Sequence, residues 1–410
     1  VSNVVRSLDF VPGTYLLGPI SQLLADCDDE RFAEIARGNL QVSNAYVQVG
    51  GCRGLPVPLG LFAEKGRPGL EGRSDDGDGK PQVWNRLAEE DPGGQLKQCR
   101  EGYIGPWDEA TLPTLAKIHR QQITHNTVDD ARQRPTSDVG GVYTYEAIPA
   151  GTALRAELRV RGPVTAAVAN PERWTGFKTT IRLGLAKKDD YGLVELAAEA
   201  PRPLASDAAT DGATLVVWLV SDLLLRNDRL GAALGLDDLR RELERQLRAV
   251  LPGRTVALRE RPSGKLLSCA VRTRRLDGWN AAWGLPRPSL VGLAAGSCVV
   301  FQWIGELPSP VELTEALGEI ERGGLGERRA EGFGEVRINP PLLRFALSHR
   351  AATGPDEGGP PDEGGPVPLL PADDSFARSI EAAAWRASIR RIAAALGYDP
   401  QWRKVHLKWT

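Results

Sequence analysis

One order of elements occurs twice in this chain. An Ala-Gly-Thr or Ala-Gly-Ser turn opens a strand, and about thirty residues later a glycine-bounded basic loop leads into another strand. The first copy starts at Ala150-Gly151-Thr152 and reaches the loop between Gly184 and Gly192, which holds Lys187, Lys188 and Tyr191. The second starts at Ala295-Gly296-Ser297 and reaches "GLGERRAEGFG", Gly324 to Gly334, with Arg328, Arg329 and Phe333 between its glycines. Two copies of one order limit the chain to a duplicated architecture.

The segments around these landmarks supply the remaining elements. Pro12-Gly13 is a turn from the apolar run at Leu8 into a helix, where Ile20, Leu23, Leu24, Ala25, Phe32, Ile35 and Ala36 recur at helical spacing before Gly38. Residues 39–49 and 152–160 alternate as strands do, whereas Ile123 to Pro135 has few apolar residues and reads as a polar loop. In the second half, Ala213 to Leu225 is strand-like, and Leu239, Leu243, Leu247 and Leu251 mark one face of a helix. Strand, helix, strand, strand, helix, strand in each half predicts an α+β fold of two tandem ferredoxin-like (RRM-like, βαββαβ) units, helices on one face of an antiparallel sheet.

The predicted boundaries are 1–205 for the first unit, with an exposed insertion over about 64–118 that is richest in charge and glycine from 64 to 102, and 206–348 for the second. Residues 349–374 carry "PDEGGPPDEGGP" and read as a flexible acidic linker, and 375–410 as a terminal helical segment with Ser375 and Gly397 as its caps. A chain of 410 residues with 41% hydrophobic content is long enough for two cores. It has no apolar run of membrane-spanning length and no leader pattern, so a cytoplasmic protein without a membrane partner is expected. The absence of any methionine, the initiator included, predicts an intact mass above 44.3 kDa.

Charge and cysteine usage narrow the function classes. A net charge of −2 argues against a wholesale polyanion binder and leaves local patches, such as residues 226–275 with thirteen basic against six acidic side chains. That stretch reads either as a nucleic-acid face or as a solvated helix face paired at i and i+4 spacing. Cys27, Cys52, Cys99, Cys269 and Cys298 form no metal-ligand spacing and are expected to be buried thiols, with no metal and no cofactor. Neither glycine loop contains Gly-Lys, and "GLGERR" lacks the third glycine of a dinucleotide fingerprint, with a strand following where a helix belongs; both nucleotide cradles are excluded. A plain helix-to-strand turn remains open for each loop, and exposed amides beside cations are the feature that suits a phosphodiester backbone.

The second loop, Gly-hydrophobic-Gly, five residues, Gly-hydrophobic-Gly, resembles the glycine-rich loop of RAMP proteins, the RNA-binding subunits of CRISPR effector complexes. "VPGTYLLG" (11–18) resembles their N-terminal turn. "LPVPLGLFAEK", "HNTVDDARQRP", "YTYEAIPAG" and "GWNAAWGLPRPSLVGLAAGS" resemble segments of the two-repeat RAMP subunit of type III complexes, subtype III-D. The likeness covers roughly residues 5 to 345 and rests on the shared order of these segments. The first loop departs from the pattern: it lacks the doubled Gly-x-Gly and carries Asp189 and Asp190.

The resemblance implies a non-catalytic subunit that grips the 5′ repeat-derived tag of the crRNA and caps the backbone. Its partners would be the other RAMP backbone subunits and the large polymerase-like subunit. Expected RNA contacts are Gly324, Gly326, Arg328, Arg329, Gly332, Phe333 and Gly334 in one loop, and Gly184, Lys187, Lys188, Tyr191 and Gly192 in the other. His125, Asn126, Arg132 and Arg134 join them, with Phe333 serving as a stacking ring or as core. Two rivals stand beside this reading. One is a RAMP-type endoribonuclease acting through His125, with Asp129 and Asp130 nearby, or through Asp9; the four histidines, His119, His125, His349 and His406, form no further constellation. The other is a protein-only scaffold using tryptophans such as Trp279, Trp283 and Trp303 as interface anchors.

Overall fold

The computed structural model describes residues 4–23, 37–65, 69–71, 83–127, 141–161, 174–184, 191–203, 212–262, 264–280, 284–348, 350 and parts of 378–390. Two compact units divide the chain, Val1–Gly358 and Gly359–Thr410. In the second, residues between 378 and 390 are helical and leave Trp385 and Ile389 exposed, four positions apart on one stripe. The predicted caps Ser375 and Gly397 lie outside the described residues.

In the larger unit, α1 (Gly13–Leu23) begins at the Pro12-Gly13 turn. A side chain at Gly13 would run into the Val42 carbonyl, so glycine is what lets the helix start against the strand that follows. That strand, β1 (Leu40–Val42), and β2 (Tyr46–Val49) are separated by Ser43 and Asn44. Both side chains satisfy backbone elsewhere: Ser43 Oγ accepts from the Glu157 amide and Asn44 Oδ1 from the Gly13 amide. Two strands of different sheets therefore stand where one was expected.

Next come the hairpin β3 (Gln121–Thr127) and β4 (Gly141–Ala147), the short strands β5 (Leu154–Arg155) and β6 (Leu158–Val160), and the hairpin β7 (Lys178–Arg182) and β8 (Leu193–Ala197). β6 pairs β1 and β5 pairs β2, both antiparallel, and Val4–Val5 lies parallel to β4. The segment read as a polar loop thus begins as a strand. The strand's single apolar residue, Ile123, gave no alternation, and seven backbone pairs to β4 hold Gln121–Thr127.

The second half builds one five-stranded sheet and, beside it, separate two-stranded sheets. In chain order it has β9 (Thr214–Leu219), α2 (Leu236–Val250), β10 (Leu258–Glu260), the hairpin β11 (Thr273–Asn280) and β12 (Leu285–Leu293), β13 (Cys298–Trp303), α3 (Pro310–Gly323) and β14 (Val336–Ile338). The sheet order is β10-β13-β9-β14, every neighbour antiparallel. Ser309 and Glu312 form a reciprocal capping box at the start of α3.

Strand alternation in β9 decides the layering. Leu215, Val217 and Leu219 face a core formed with Leu239, Leu243 and Leu247 of α2 and Leu313, Leu317 and Ile320 of α3. Val216, Trp218 and Val220 face the other way, into a core with Tyr46, Val49, Leu61, Val83, Leu87 and Tyr103 of the first half. The sheet is covered on both faces, and the halves share a core. A third core joins α1 to β1, with Leu183 and Trp174.

The first half differs from the expected repeat of that arrangement. Among the described residues its strands fall into separate two- and three-stranded sheets, with α1 as the one helix longer than a turn. The segment from 64 to 102 is not an exposed insertion throughout. Val83, Asn85 and Leu87 are buried, because the few apolar residues among its charges reach the shared core, and Arg86 is satisfied by the Glu89 carbonyl. Of the cysteines, Cys298 is buried with its thiol pushed up to about 12 by desolvation, but Cys52 is exposed at the end of a turn. Cys27 lies outside the described residues.

Candidate nucleic-acid interface

The glycine-rich segment joins α3 to the edge strand β14. Gly324, Gly326, Gly332 and Gly334 all have positive φ, and Arg328, at φ 54°, is left-handed without being glycine. The Leu325 amide donates to the Gly334 carbonyl at 2.8 Å and closes the loop. Its limbs are tied to the body: the Gly334 amide donates to the Asp222 carbonyl, the Glu327 amide to the Leu224 carbonyl, and the Gly326 amide to Glu242 on α2.

Both of the loop's arginines have partners of their own. Arg328 Nε donates to Glu331 at 2.9 Å, and its guanidinium sits 4.9 Å from the centre of the half-exposed Phe333 ring. Arg329 donates to the Gly323 and Gly324 carbonyls at the end of α3, at 3.2 and 3.5 Å. Burial raises the Glu331 carboxyl, but the Arg328 fork, the Thr14 hydroxyl and the field of Arg287 more than offset it and leave it below the ordinary range. Glu331 therefore occupies a place built for a negative group: a cationic fork, a hydroxyl and a second arginine converge there.

The first loop repeats the closure. The Leu183 amide donates to the Gly192 carbonyl at 2.8 Å, with Gly184 at φ 95° and Gly192 at φ 73°. Leu183 corresponds to Leu325, Tyr191 to Phe333 and Gly192 to Gly334 at equal spacing. The environments differ. Tyr191 reaches the β3–β4 hairpin, where its hydroxyl hydrogen-bonds His125 Nε2. His125 pairs across the strands with Tyr143 and packs on it at 5.3 Å with planes 16° apart, and Tyr145 closes the group. Asn126 is exposed on the opposite face, while Lys187, Lys188, Arg132 and Arg134 lie outside the described residues. Tyr143 and Tyr145 were not singled out from the sequence, although the alternation "YTYEA" marks them as one face of a strand.

Beneath the second loop runs a buried ionic network. Glu335 receives both terminal nitrogens of Arg53 at 2.9 Å and a further hydrogen bond from Arg159, which also binds Glu157. Burial pushes the Glu335 carboxyl up, and Arg159 and Arg53 outweigh it and hold it far below its ordinary value. Two arginines and two glutamates leave the cluster electrically balanced. Arg53 also lies over the Tyr46 ring at 4.8 Å, and the Tyr46 hydroxyl donates to the Val220 carbonyl, so the network ties the first half to both β9 and the loop.

The basic stretch 226–275 is largely neutralised. Arg240 pairs with Asp237 and Glu244, Arg241 with Asp238, Arg245 with Glu242 and Arg248 with Glu244 along α2. Arg226 pairs with Glu327 and Arg254 with Glu312, acids outside the stretch. Asp9 hydrogen-bonds Tyr103, and burial raises that phenol. Among the described residues no group of three or more His, Cys, Asp or Glu is placed to hold a metal ion, and no helix is long and apolar enough to cross a membrane.

No protein-family model and no curated protein matches the sequence. Among solved structures, a chain of the type III-B Cmr-beta complex bound to cognate target RNA and AMPPnP aligns at 8% identity and TM-score 0.35, covering 72% of this chain and 79% of that one. A Cas6 chain in a substrate mimic complex aligns at 16% identity and TM-score 0.28, covering 46% of this chain and 80% of that one.

Proposed function

We propose that this chain is a non-catalytic RNA-binding subunit of a type III CRISPR interference complex, of subtype III-D, working in the cytoplasm. In this reading it is built of two ferredoxin-like RAMP units and holds the repeat-derived 5′ tag of the crRNA. It stands beside the other RAMP subunits and the large polymerase-like subunit.

The observation that carries the reading is the position of the glycine loop. It links the last helix of a βαββαβ unit to an edge strand, with a glycine pair at each end, Arg328 and Arg287 acting on one carboxylate, and the Phe333 ring against Arg328. A phosphate takes the same fork that a carboxylate takes, and an unpaired base takes an aromatic face. The matching closure at Leu183 and Gly192 gives the first half a loop of the same build.

The test is recovery of the tagged chain from its native host at moderate salt, followed by sequencing of bound RNA and identification of co-purifying proteins. Short RNAs with one repeat-derived 5′ end, together with RAMP subunits, support the reading. A clean monomer without RNA overturns it. Incubation of the isolated complex with crRNA precursor checks the absence of catalysis: cleavage abolished by His125→Ala or Asp9→Ala would establish the endoribonuclease instead.

A further inference from the structure

We propose that His125, Tyr143, Tyr145 and Tyr191 form a stacking platform for unpaired bases of single-stranded RNA, separate from the second glycine loop. This rests on the RNA-binding reading above and adds a second site with its own mode of recognition.

The four rings make one continuous group. Tyr143 and Tyr145 lie 5.2 Å apart, Tyr145 and Tyr191 5.7 Å, and His125 and Tyr191 5.6 Å. They stand outside the three apolar cores, and each is only partly buried. Aromatic cross-strand pairs do stabilise a hairpin, by about 0.2–1 kcal/mol each. That role calls for apolar rings pressed into a core and gives no reason for four polar-edged rings, two of them joined through the Tyr191 hydroxyl and His125 Nε2, to gather outside every core.

Charge distribution chooses the occupant. The ring-bearing face of β3–β4 also carries Gln121, Ile123, Gly141 and Ala147 and has no carboxylate among its described side chains, since Glu146 points to the opposite face and binds the Ser7 amide and Arg120. On the adjoining hairpin, Arg182 is exposed and donates to the Tyr191 carbonyl. An aromatic surface without carboxylates, with a guanidinium on the adjoining hairpin, suits a base whose phosphate lies to one side.

The test uses the full chain and fluorescein-labelled single-stranded oligo(A) RNA, read by anisotropy, beside an abasic strand of equal length. Replacing Tyr143 and Tyr145 together by Ala is expected to weaken oligo(A) binding about tenfold or more, since a stacked base is worth about 1–3 kcal/mol. Phe at both positions is expected to keep the affinity within about threefold, because the π-faces remain. Leu at both positions supports the hairpin without a π-face and should lose binding as Ala does; recovery of binding with Leu would mean that Ala had only loosened the hairpin, and would overturn the platform. The abasic strand should bind all variants alike, and the slope of log K against log salt should stay unchanged, because the phosphates are untouched.

Equal binding of oligo(A) by the Ala, Leu and original chains overturns the platform. So does an equal loss on the abasic strand, or a loss confined to capture of a protein subunit. If Arg328→Ala abolishes binding while the tyrosine variants are silent, the platform falls and the RNA-binding reading stands. A chain that binds neither strand ends both.

Discussion

The Leu325 amide and the Gly334 carbonyl meet at 2.8 Å, and the Leu183 amide and Gly192 carbonyl repeat the contact 142 positions earlier. In each case a side chain on the closing glycine would be driven into the leucine carbonyl. The requirement is steric as well as conformational, since both glycines also have positive φ.

Substitution should separate the two requirements. Gly184 has positive φ and open space around its missing side chain, so Gly184→Ala is expected to cost about 1–2 kcal/mol, the left-handed penalty alone. Gly334→Ala adds a collision with backbone and should cost more than about 3 kcal/mol. Urea midpoints of the two variants check this; equal losses would mean that the loop moves aside freely.

Glu335 couples stability to pH. Its carboxyl is held low in the folded chain, so the unfolded chain binds its proton more readily. The resulting stability is full above the unfolded value of about 4.3 and is lost as pH falls from there toward the folded value. Glu335→Gln leaves Arg53 and Arg159 buried without their anion and should cost about 3–5 kcal/mol at pH 7. The variant should also lose less stability than the original chain between pH 6 and pH 3, which urea titrations at the two ends measure.

Glu331 competes with any phosphate for Arg328. Glu331→Gln should therefore tighten RNA binding several-fold, about 1 kcal/mol, while Arg328→Ala should weaken it and reduce the salt slope by about 0.7, one single-strand phosphate contact. Anisotropy titrations across a salt series give both numbers. Opposite signs for the two variants are the required result.

How much of this was legible in the sequence differs between the halves. Leucines at every fourth position of α2 and the alternation of Leu215 to Val220 made the second half readable, because its elements are long and pack on their sequence neighbours. The first half was not, since its paired strands are short and Ser43-Asn44 breaks what looked like one strand. Spacing alone located the glycine loop, whereas the Arg53 to Glu335 pair spans 282 positions and leaves no local pattern. His125 was noticed for its chemistry, but its ring partners depend on a strand pairing that a single apolar residue, Ile123, could not announce.

The arginines of α2 were the other feature that local composition brought forward, and their pairing assigns them a different part. Arg241 and Arg245 each hold an acid one turn earlier, and such exposed pairs contribute about 0.3–0.5 kcal/mol apiece. A phosphate arriving there would have to displace a carboxylate that is covalently fixed beside its arginine, with no hydroxyl or second cation of the kind that surrounds Glu331. Arg241→Gln and Arg245→Gln should accordingly change RNA affinity less than about twofold and leave the salt slope as it was. Glu242 also accepts the Gly326 amide, so removing Arg245 frees Glu242 for the loop and should not loosen it. A tenfold loss of RNA affinity in either glutamine variant would move the interface to the helix side of the sheet.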